Sequence, residues 1–302
     1  MAVFKEIWVA DIAANIFRDN SFIVRSKDDS QYVDGKVVHL PQSGTKPGVV
    51  KNRATFPGTA TQRTDNELTY VIDSYTTDPM HLLNADEMQV SYDKRQSIIG
   101  DHTAMISERV ADWILYYWTP STASRMVAST GGAKPATAPS AAGNRKKVVL
   151  LDIINAKRKL DTEDIPQEGR VMVVPAEMFN DILEIEGVIS ADKFGQQTIV
   201  NGVVAKLLGF DIYIRSRVAI VDTSGAPDPK TPTDAGGADD SHAILLYHPM
   251  FVRRAMGEVK LYVDEDSPIY YGDVFSAEVL AGGQKSYTDS RGIVLLYEAV
   301  AP

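Results

Sequence analysis

RVMVVPAEMFNDILEIEGVISADKFGQQTIVNGVVAKLLGFDIYIRS, residues 170–216, is the stretch that decides the fold. The β-branched run at 171–174 predicts a buried strand, and Pro175 fits the first turn of a helix because its missing N–H needs no partner there. Apolar residues at helical spacing then predict a helix over about 176–186, which a glycine ends. After a polar connection, residues 210–214 predict a second strand. By itself this order predicts a strand–helix–strand unit, which many α/β domains contain.

The bulk composition excludes several classes of protein. The chain has 302 residues, no cysteine, and 31 basic against 40 acidic residues, for a net charge of −9. Disulfides, thiolate metal sites and a cysteine nucleophile are therefore excluded. The acidic balance argues against non-specific binding to duplex DNA. No apolar run predicts a transmembrane helix, and the first residues lack signal-peptide architecture, so we expect no membrane partner and synthesis in a cytoplasm.

Residues 1–34 are predicted to form an N-terminal arm. Phe4, Trp8, Ile12 and Ile16 recur every four residues, which predicts a short amphipathic helix. Because this stripe is too narrow to join a core of its own, we expect it to dock on another surface, in this chain or in a neighbouring one.

Residues 35–76 are predicted to form an extended hairpin. Strands at 36–40 and 68–72 flank roughly 27 residues rich in Gly, Thr, Pro and basic side chains. Compact domains rarely contain unstructured connections of this length, and those that occur are usually disordered or functional. A disordered loop is therefore one interpretation. The alternative is a hairpin whose ordering contacts lie on another subunit. Apolar and basic side chains at the tip favour the alternative: Val49, Val50 and Phe56, with Lys46, Lys51, Arg53 and Arg63.

The longest predicted helix covers residues 86–118 and ends before Pro120. Residues 119–147 are rich in Ala, Ser, Thr, Pro and Gly, which predicts a linker or exposed loop. The basic run 145–147 at its end is interpreted as a solvated edge rather than a nucleic-acid patch. Residues 148–160 then predict a helix.

The last third of the chain reads mainly as strands. A polar surface loop at 222–242 separates predicted strands at 218–221 and 243–247, and the sequence YHPMFVRRAMG predicts a strand end that leads into a short helix. Later strands are predicted at 259–263, 274–280 and 292–297, the last two joined by a hairpin-like connection.

Two strings within this order, GVISADKFG at 187–195 and NGVVAKLLGFDIYIRS at 201–216, resemble the central domain of tailed-phage major capsid proteins. The resemblance implies an α+β chain with the Hong Kong 97-type capsid fold. Its parts would be an N-terminal arm (1–34), an extended β-hairpin loop (35–76), a peripheral domain with a spine helix (77–147), a central axial domain (148–256) and the return strands of the peripheral domain (257–302).

The resemblance implies a mechanical function. Pentamers and hexamers of the chain would tile an icosahedral head shell that encloses double-stranded DNA without sequence-specific binding. The implied partners are further copies of the chain, a portal protein and a scaffolding protein, with decoration proteins left open. The sequence lacks a long N-terminal scaffolding extension, so either a separate scaffolding protein guides assembly or an extension was removed before Met1, and the methionine at position 1 favours the separate protein. The implied location is the virion, after synthesis in the cytoplasm of a host bacterium.

The residues predicted to contact other subunits lie in the arm and the loop: Phe4, Trp8, Lys46, Lys51, Arg53, Phe56 and Arg63. In the family this loop lies over an adjacent subunit, which predicts ion pairs from its basic tip to an acidic neighbouring surface. Some family members crosslink a lysine to an asparagine, and no residue is assigned that role here.

Catalytic patterns are absent from the sequence. The five histidines, His39, His81, His102, His242 and His248, form no HExxH pattern, and no phosphate-binding or nucleophile motif occurs. His102 is predicted to pack in a core or an interface. The acidic run at 264–266 fits a solvated turn better than a cation site. No catalytic residue, cofactor or metal is therefore expected. Two alternatives stay open: an encapsulin-like nanocompartment shell and an α/β enzyme that uses scattered carboxylates.

Overall fold

The computed structural model of the chain describes residues 22–42, 48–54, 56, 58, 60, 62, 66–83, 94–185 and 207–301. Its three helices are α1 (Lys94–Trp118), α2 (Leu150–Thr162) and α3 (Ala176–Leu183). The strands in chain order are β1 (Lys27–Asp28), β2 (Val33–Asp34), β3 (Val37–Gln42), β4 (Asn66–Val71), β5 (Asp73–Thr76), β6 (Met80–Leu83), β7 (Met126–Ala128), β8 (Ala133–Pro135), β9 (Asn144–Lys146), β10 (Arg170–Pro175), β11 (Phe210–Arg215), β12 (Ala219–Asp222), β13 (Asp228–Pro229), β14 (Asp240–Tyr247), β15 (Val252–Ser267), β16 (Gly272–Lys285), β17 (Ile293–Tyr297) and β18 (Val300–Ala301).

Two described strands of the stretch 170–216, β10 and β11, belong to the largest sheet, with β11 at its edge. β10 pairs in parallel with β11, as the strand–helix–strand order requires, and antiparallel with β14. Together with β7, β12, β13 and β17 they form a seven-stranded sheet, called here the central sheet. The predicted helix is confirmed, although it ends at Leu183, a few residues earlier than expected. The last residue of the predicted helix, at 186, lies outside the described part of the chain.

The central sheet is covered on both faces, which explains why its strands are almost continuously apolar. Alternate residues of β10 point to opposite faces, so Val171 and Val173 join one core whereas Met172 and Val174 join another. The first core also contains the apolar face of α1 and residues of β15 and β16. The second contains the inner faces of α2 and α3.

A second sheet of five strands is built around the long β15–β16 hairpin, with β1, β5 and β6 along its edges. Helix α1 lies against β16 at Gly283. A Cβ atom there would lie 3.1 Å from Nε1 of Trp118 and 3.3 Å from Cγ2 of Ile114. Glycine therefore allows the close approach of helix and strand. The buried indole of Trp118 donates to the carbonyl of Arg253, 2.8 Å away, which fixes the end of the helix to the hairpin.

Two small three-stranded sheets complete the architecture. β2, β3 and β4 form one, and β8, β9 and β18 form the other. The pairing of β3 with β4, from Val37 with Val71 to Gln42 with Asn66, confirms the base of the predicted extended hairpin. The described part of α1 confirms the long helix, and its predicted start at 86–93 lies outside the described residues.

The prediction of an exposed linker over 119–147 was wrong. This segment contains β7, which pairs with β17, and the hairpin of β8 and β9, in which β9 also pairs with β18. Arg145, assigned to a solvated edge, is only 2% exposed. Its guanidinium donates to four backbone carbonyls and to Oγ of Ser241. Small and polar residues therefore build an ordered cap over the end of the central sheet, and the buried arginine satisfies its carbonyls.

The prediction that the last two strands form a hairpin was also wrong. β16 pairs with β15, β5 and β6, whereas β17 crosses to the central sheet and pairs with β14 and β7. The short helix expected after Tyr247 is a single 3-10 turn at Pro249–Phe251. Strand pairing thus does not follow the predicted boundaries at 147/148 and 256/257, because residues 126–128 and 293–297 belong to the central sheet. The domain assignment itself stays a prediction.

Candidate functional site

The extended hairpin stands on a buried base. Val38, Leu40, Tyr70 and Ile72 form a small core with Ala255 of β15, so that the base of the hairpin is fixed to the long-hairpin sheet. The predicted strands were therefore correct in kind and place.

The segment before the hairpin is fixed to the same strand. Lys27 and Asp28 of β1 pair in parallel with Arg253 and Arg254. The adjacent Asp29 is fully buried, and it accepts a hydrogen bond from the hydroxyl of Tyr70 at 3.4 Å. Burial raises the pKa of Tyr70 well above its usual range, and the negative charge of Asp29 is the second largest cause. This hydroxyl therefore remains a hydrogen-bond donor. The base of the loop therefore makes buried or paired contacts on both of its sides.

The described residues at the hairpin tip are strongly exposed. The side chains of Val49, Val50 and Phe56 are 96%, 59% and 80% exposed, and Lys51 and Arg53 are exposed as well. Exposing apolar side chains to water costs free energy, and this cost is removed only when another surface covers them. The tip therefore combines apolar area with positive charge, as the sequence predicted.

Of the seven residues predicted to contact other subunits, the structure describes Lys51, Arg53 and Phe56, and all three are exposed. The other four, Phe4, Trp8, Lys46 and Arg63, lie outside the described residues. Contact of all seven with another subunit stays a prediction.

A second exposed apolar surface was missed by the sequence analysis. It lies at the turn between β15 and β16, where Ile269 and Tyr271 are 77% and 78% exposed. The neighbouring Tyr270 stacks on His81 of β6, with ring centroids 5.8 Å apart. The sequence signal for this surface was the Ile-Tyr-Tyr run at 269–271, two residues after the acidic run at 264–266 that was interpreted as a solvated turn. Among the described residues, no group of three or more His, Asp or Glu side chains is placed to hold a metal ion.

The histidines are dispersed and none is part of a catalytic arrangement in the described structure. His39 contacts Glu67 across the extended hairpin at 2.6 Å, and His81 stacks on a tyrosine as noted. His102, His242 and His248 are buried, and burial lowers the pKa of each imidazole. The predicted packing of His102 in a core is confirmed by its 4% exposure.

The buried charges of the central sheet are paired, which gives them a structural role. Nζ of Lys134 lies 2.6 Å from Oδ2 of Asp181 and 2.6 Å from Oε1 of Glu298. Burial lowers the pKa of Lys134, but hydrogen bonds to the two carboxylates outweigh it and raise the pKa above its usual value. This contact joins β8, α3 and the end of β17, so it connects the cap to the central sheet.

One cavity of about 160 Å³ lies between α1, β12 and the loop after β13, lined by residues including Tyr116, Val218, Pro232 and His242. Sites for drug-sized ligands and cofactors occupy about 300–1,000 Å³. This cavity is smaller than that range. No described helix has the length and apolar character needed to cross a membrane.

The described residues present exposed side chains at the hairpin tip and at the β15–β16 turn, and their buried charges at Lys134, Asp181 and Glu298 are paired. The fold agrees with solved capsids. The "Capsid structure of the Cyanophage P-SCSP1u" is 17% identical, with a TM-score of 0.63 over 92% of this chain and 87% of that chain. The "Capsid of Ralstonia phage GP4" is 12% identical, with a TM-score of 0.66 over 95% and 90%.

A likeness extends beyond phages. The "virus-like particle from Pyrococcus furiosus" is 8% identical, with a TM-score of 0.56 over 97% of this chain and 99% of that chain. No curated protein matches the sequence. The sequence profile of the family described as phage capsid protein matches residues 28–255. The chain belongs to the phage capsid protein family, and it is a major capsid shell protein with a Hong Kong 97-type fold.

Proposed function

We propose that many copies of this chain assemble, as pentamers and hexamers, into the icosahedral head of a tailed phage around double-stranded DNA. The observation that carries the proposal is the family match over residues 28–255, together with the agreement of fold along nearly the whole chain. The family match also favours a phage head over the nanocompartment alternative. Both findings indicate a structural protein rather than an enzyme.

In this proposal the extended hairpin reaches over the adjacent subunit. Burying a side chain the size of Phe56 contributes about 1.5–3 kcal/mol, whereas an exposed ion pair contributes about 0–1 kcal/mol. The apolar tip therefore supplies most of the binding free energy. Lys51 and Arg53, with Lys46 and Arg63 in the same segment, orient the loop on an acidic surface. Phe4 and Trp8 of the arm supply a second contact.

The proposed domains follow from strand pairing and from the predicted boundaries. Residues 148–256, with the strands at 126–128 and 293–297 that pair into the same sheet, form the axial domain near the ring axis. The long β15–β16 hairpin and α1 form the peripheral domain. The acidic net charge of −9 suits a shell that encloses DNA without binding it tightly.

The wider proposal includes a separate scaffolding protein during assembly, a portal protein at one vertex, and location in the virion after synthesis in the bacterial cytoplasm. Decoration proteins remain an open part of it. These partners rest on the family alone.

Electron microscopy of the expressed chain, alone and with a co-expressed scaffolding protein, tests the proposal. We expect uniform polyhedral shells from the wild type. A variant that lacks residues 44–64 should give folded monomers by circular dichroism and no shells, because the loop base lies outside the deletion. A wild-type chain that stays monomeric under both conditions would contradict the proposed function. Normal shells from the deletion variant would contradict only the role of the loop.

A further inference from the structure

The central sheet has two chemically different flanks. At Ala243, β14 pairs with Ala219 of β12 on one side and with Tyr297 of β17 on the other. A strand has only two hydrogen-bonding edges, so β12 and β13 lie on the opposite side of β14 from β17 and β7. These two pairs of strands therefore form opposite flanks of the central sheet.

Helix α2 lies over the β17 and β7 side and exposes an apolar and basic stripe. Its inner face, which includes Ile153 and Ala156, is buried in the core of the sheet. On its outer face Leu151 and Ile154 are 57% and 42% exposed, and Arg158 is exposed one turn further on. The spacings of three and four residues place these side chains in one row. This row is called here the α2 stripe.

The opposite side of β14 carries an acidic loop, residues 222–239. Asp228, Asp234 and Asp239 are exposed there. The one lysine of the loop, Lys230, is committed to the buried Asp240, whose carboxylate oxygens lie 3.1 and 3.0 Å from its Nζ. Its charge therefore does not neutralise the exposed aspartates. Ala226 is exposed beside them and offers apolar area.

We propose that the α2 stripe of one copy docks on the acidic loop of the next copy, and that this contact closes the rings. The inference rests on the proposed function, because it needs copies arranged around an axis. Two different patches on opposite flanks produce a heterologous contact, which is the type that repeats around a ring. In this contact Leu151 and Ile154 bury apolar area against Ala226 and the neighbouring prolines. Arg158 forms ion pairs with the exposed aspartates. The charges give the contact its direction, because two stripes or two acidic loops repel each other.

Crosslinking is a direct test, because the chain has no cysteine of its own. The double variant Leu151→Cys with Asp228→Cys, treated in assembled shells with a short bis-maleimide, should give a ladder on a denaturing gel that ends at five and six chains. Each single variant should stay monomeric on the gel. Dimers from a single variant would show an isologous contact and overturn the proposal, as would a double variant that gives no oligomers.

A charge exchange tests the same contact without depending on cysteine geometry. Arg158→Glu should reduce the yield of shells at least tenfold, and so should Asp228→Lys with Asp239→Lys. Combining the three substitutions should restore most of the yield. Asp234 is left unchanged because its Oδ2 accepts a hydrogen bond from the amide of Thr231 and holds the turn. The matched control is Lys27→Glu, which makes the same change in charge at an exposed position of β1.

The two levels of inference fail in different ways. If the wild type forms no shells, the proposed function is wrong and the contact falls with it. If the wild type forms shells but neither crosslinking nor charge exchange gives the expected result, only the contact is wrong.

Discussion

Nη1 of Arg253 lies 3.0 Å from Oδ1 and 3.1 Å from Oδ2 of Asp29, across 224 positions of the chain. The aspartate is fully buried, and the arginine side chain is 12% exposed. The amide of Asp29 also donates to the carbonyl of Arg254 at 2.8 Å. The ion pair thus connects the segment that leads into the extended hairpin with the first strand of the long hairpin.

Asp29→Asn should lower the free energy of unfolding by about 3–5 kcal/mol, because it removes one partner of a buried ion pair and leaves Arg253 without its counterion. Urea unfolding followed by circular dichroism measures the change. The neighbouring Asp28 pairs with Arg254 at 3.0 Å but its side chain is 52% exposed. Asp28→Asn should therefore cost about 1 kcal/mol or less. Equal losses in the two variants would contradict the structural role of the buried pair.

Arg145→Lys should also destabilise the protein, by about 1–3 kcal/mol. Lysine has three donors on a single nitrogen and cannot reproduce the planar fork that reaches carbonyls on both sides of the guanidinium. The expected signature is an earlier thermal transition. Arg158→Lys makes the same chemical change at an exposed position of α2 and should shift the free energy of unfolding by less than about 0.5 kcal/mol. If Arg145→Lys leaves the thermal transition unchanged, the result would contradict the ordered structure of residues 119–147 and favour an exposed loop.

The stability of the monomer should fall as the pH decreases below the ordinary histidine pKa of 6.5. Burial lowers the pKa of His242 from that value, although Glu298 acts in the opposite direction. In this range the unfolded chain binds a proton that the folded chain does not, so the free energy of unfolding decreases with falling pH.

His242→Gln removes this titration and should flatten the pH dependence of unfolding between pH 7 and 5. His248, whose pKa burial also lowers, gives an independent second variant, His248→Gln. Urea unfolding at several pH values measures the slope. A slope that neither substitution changes would show that these histidines do not couple protonation to folding.

Lys51→Glu with Arg53→Glu should slow shell assembly while leaving the monomer as stable as the wild type. Both side chains are exposed at the tip of the extended hairpin, so the substitutions remove no buried side chain. If the tip meets an acidic surface, the defect should be largest at low salt and shrink as salt screens the repulsion. Light scattering during assembly at several salt concentrations measures it. An assembly rate that is unchanged at low salt would contradict an electrostatic role for the tip.

The parts of the fold that sequence predicted are those set by local chemistry. The strand at 170–175, the following helix and the parallel strand at 210–215 were predicted from a β-branched run, a proline and an apolar stripe. The strands at the base of the extended hairpin were predicted for the same reason. In each case the signal lies within a few residues of the element.

The parts that were missed depend on contacts between distant residues. β7 is ordered by β17, and β9 by β18 and β8, so composition alone suggested a linker. β17 pairs within the central sheet and not with its sequence neighbour β16. No local sequence pattern indicates this pairing. The exposed residues 269–271 were overlooked because an aromatic run predicts a buried strand as readily as a contact surface.

The parallel pairing of Lys27 and Asp28 with Arg253 and Arg254 imposes an order in time. Synthesis proceeds from the N-terminus, and segments fold as they emerge. The base of the extended hairpin therefore gains its anchor only after residue 254 has left the ribosome. Until then, its exposed tip is attached to an unfinished and unanchored chain. For this reason we expect two neighbouring nascent chains on one messenger RNA to bind each other weakly. Shell assembly should therefore begin only when translation of the chain is nearly complete.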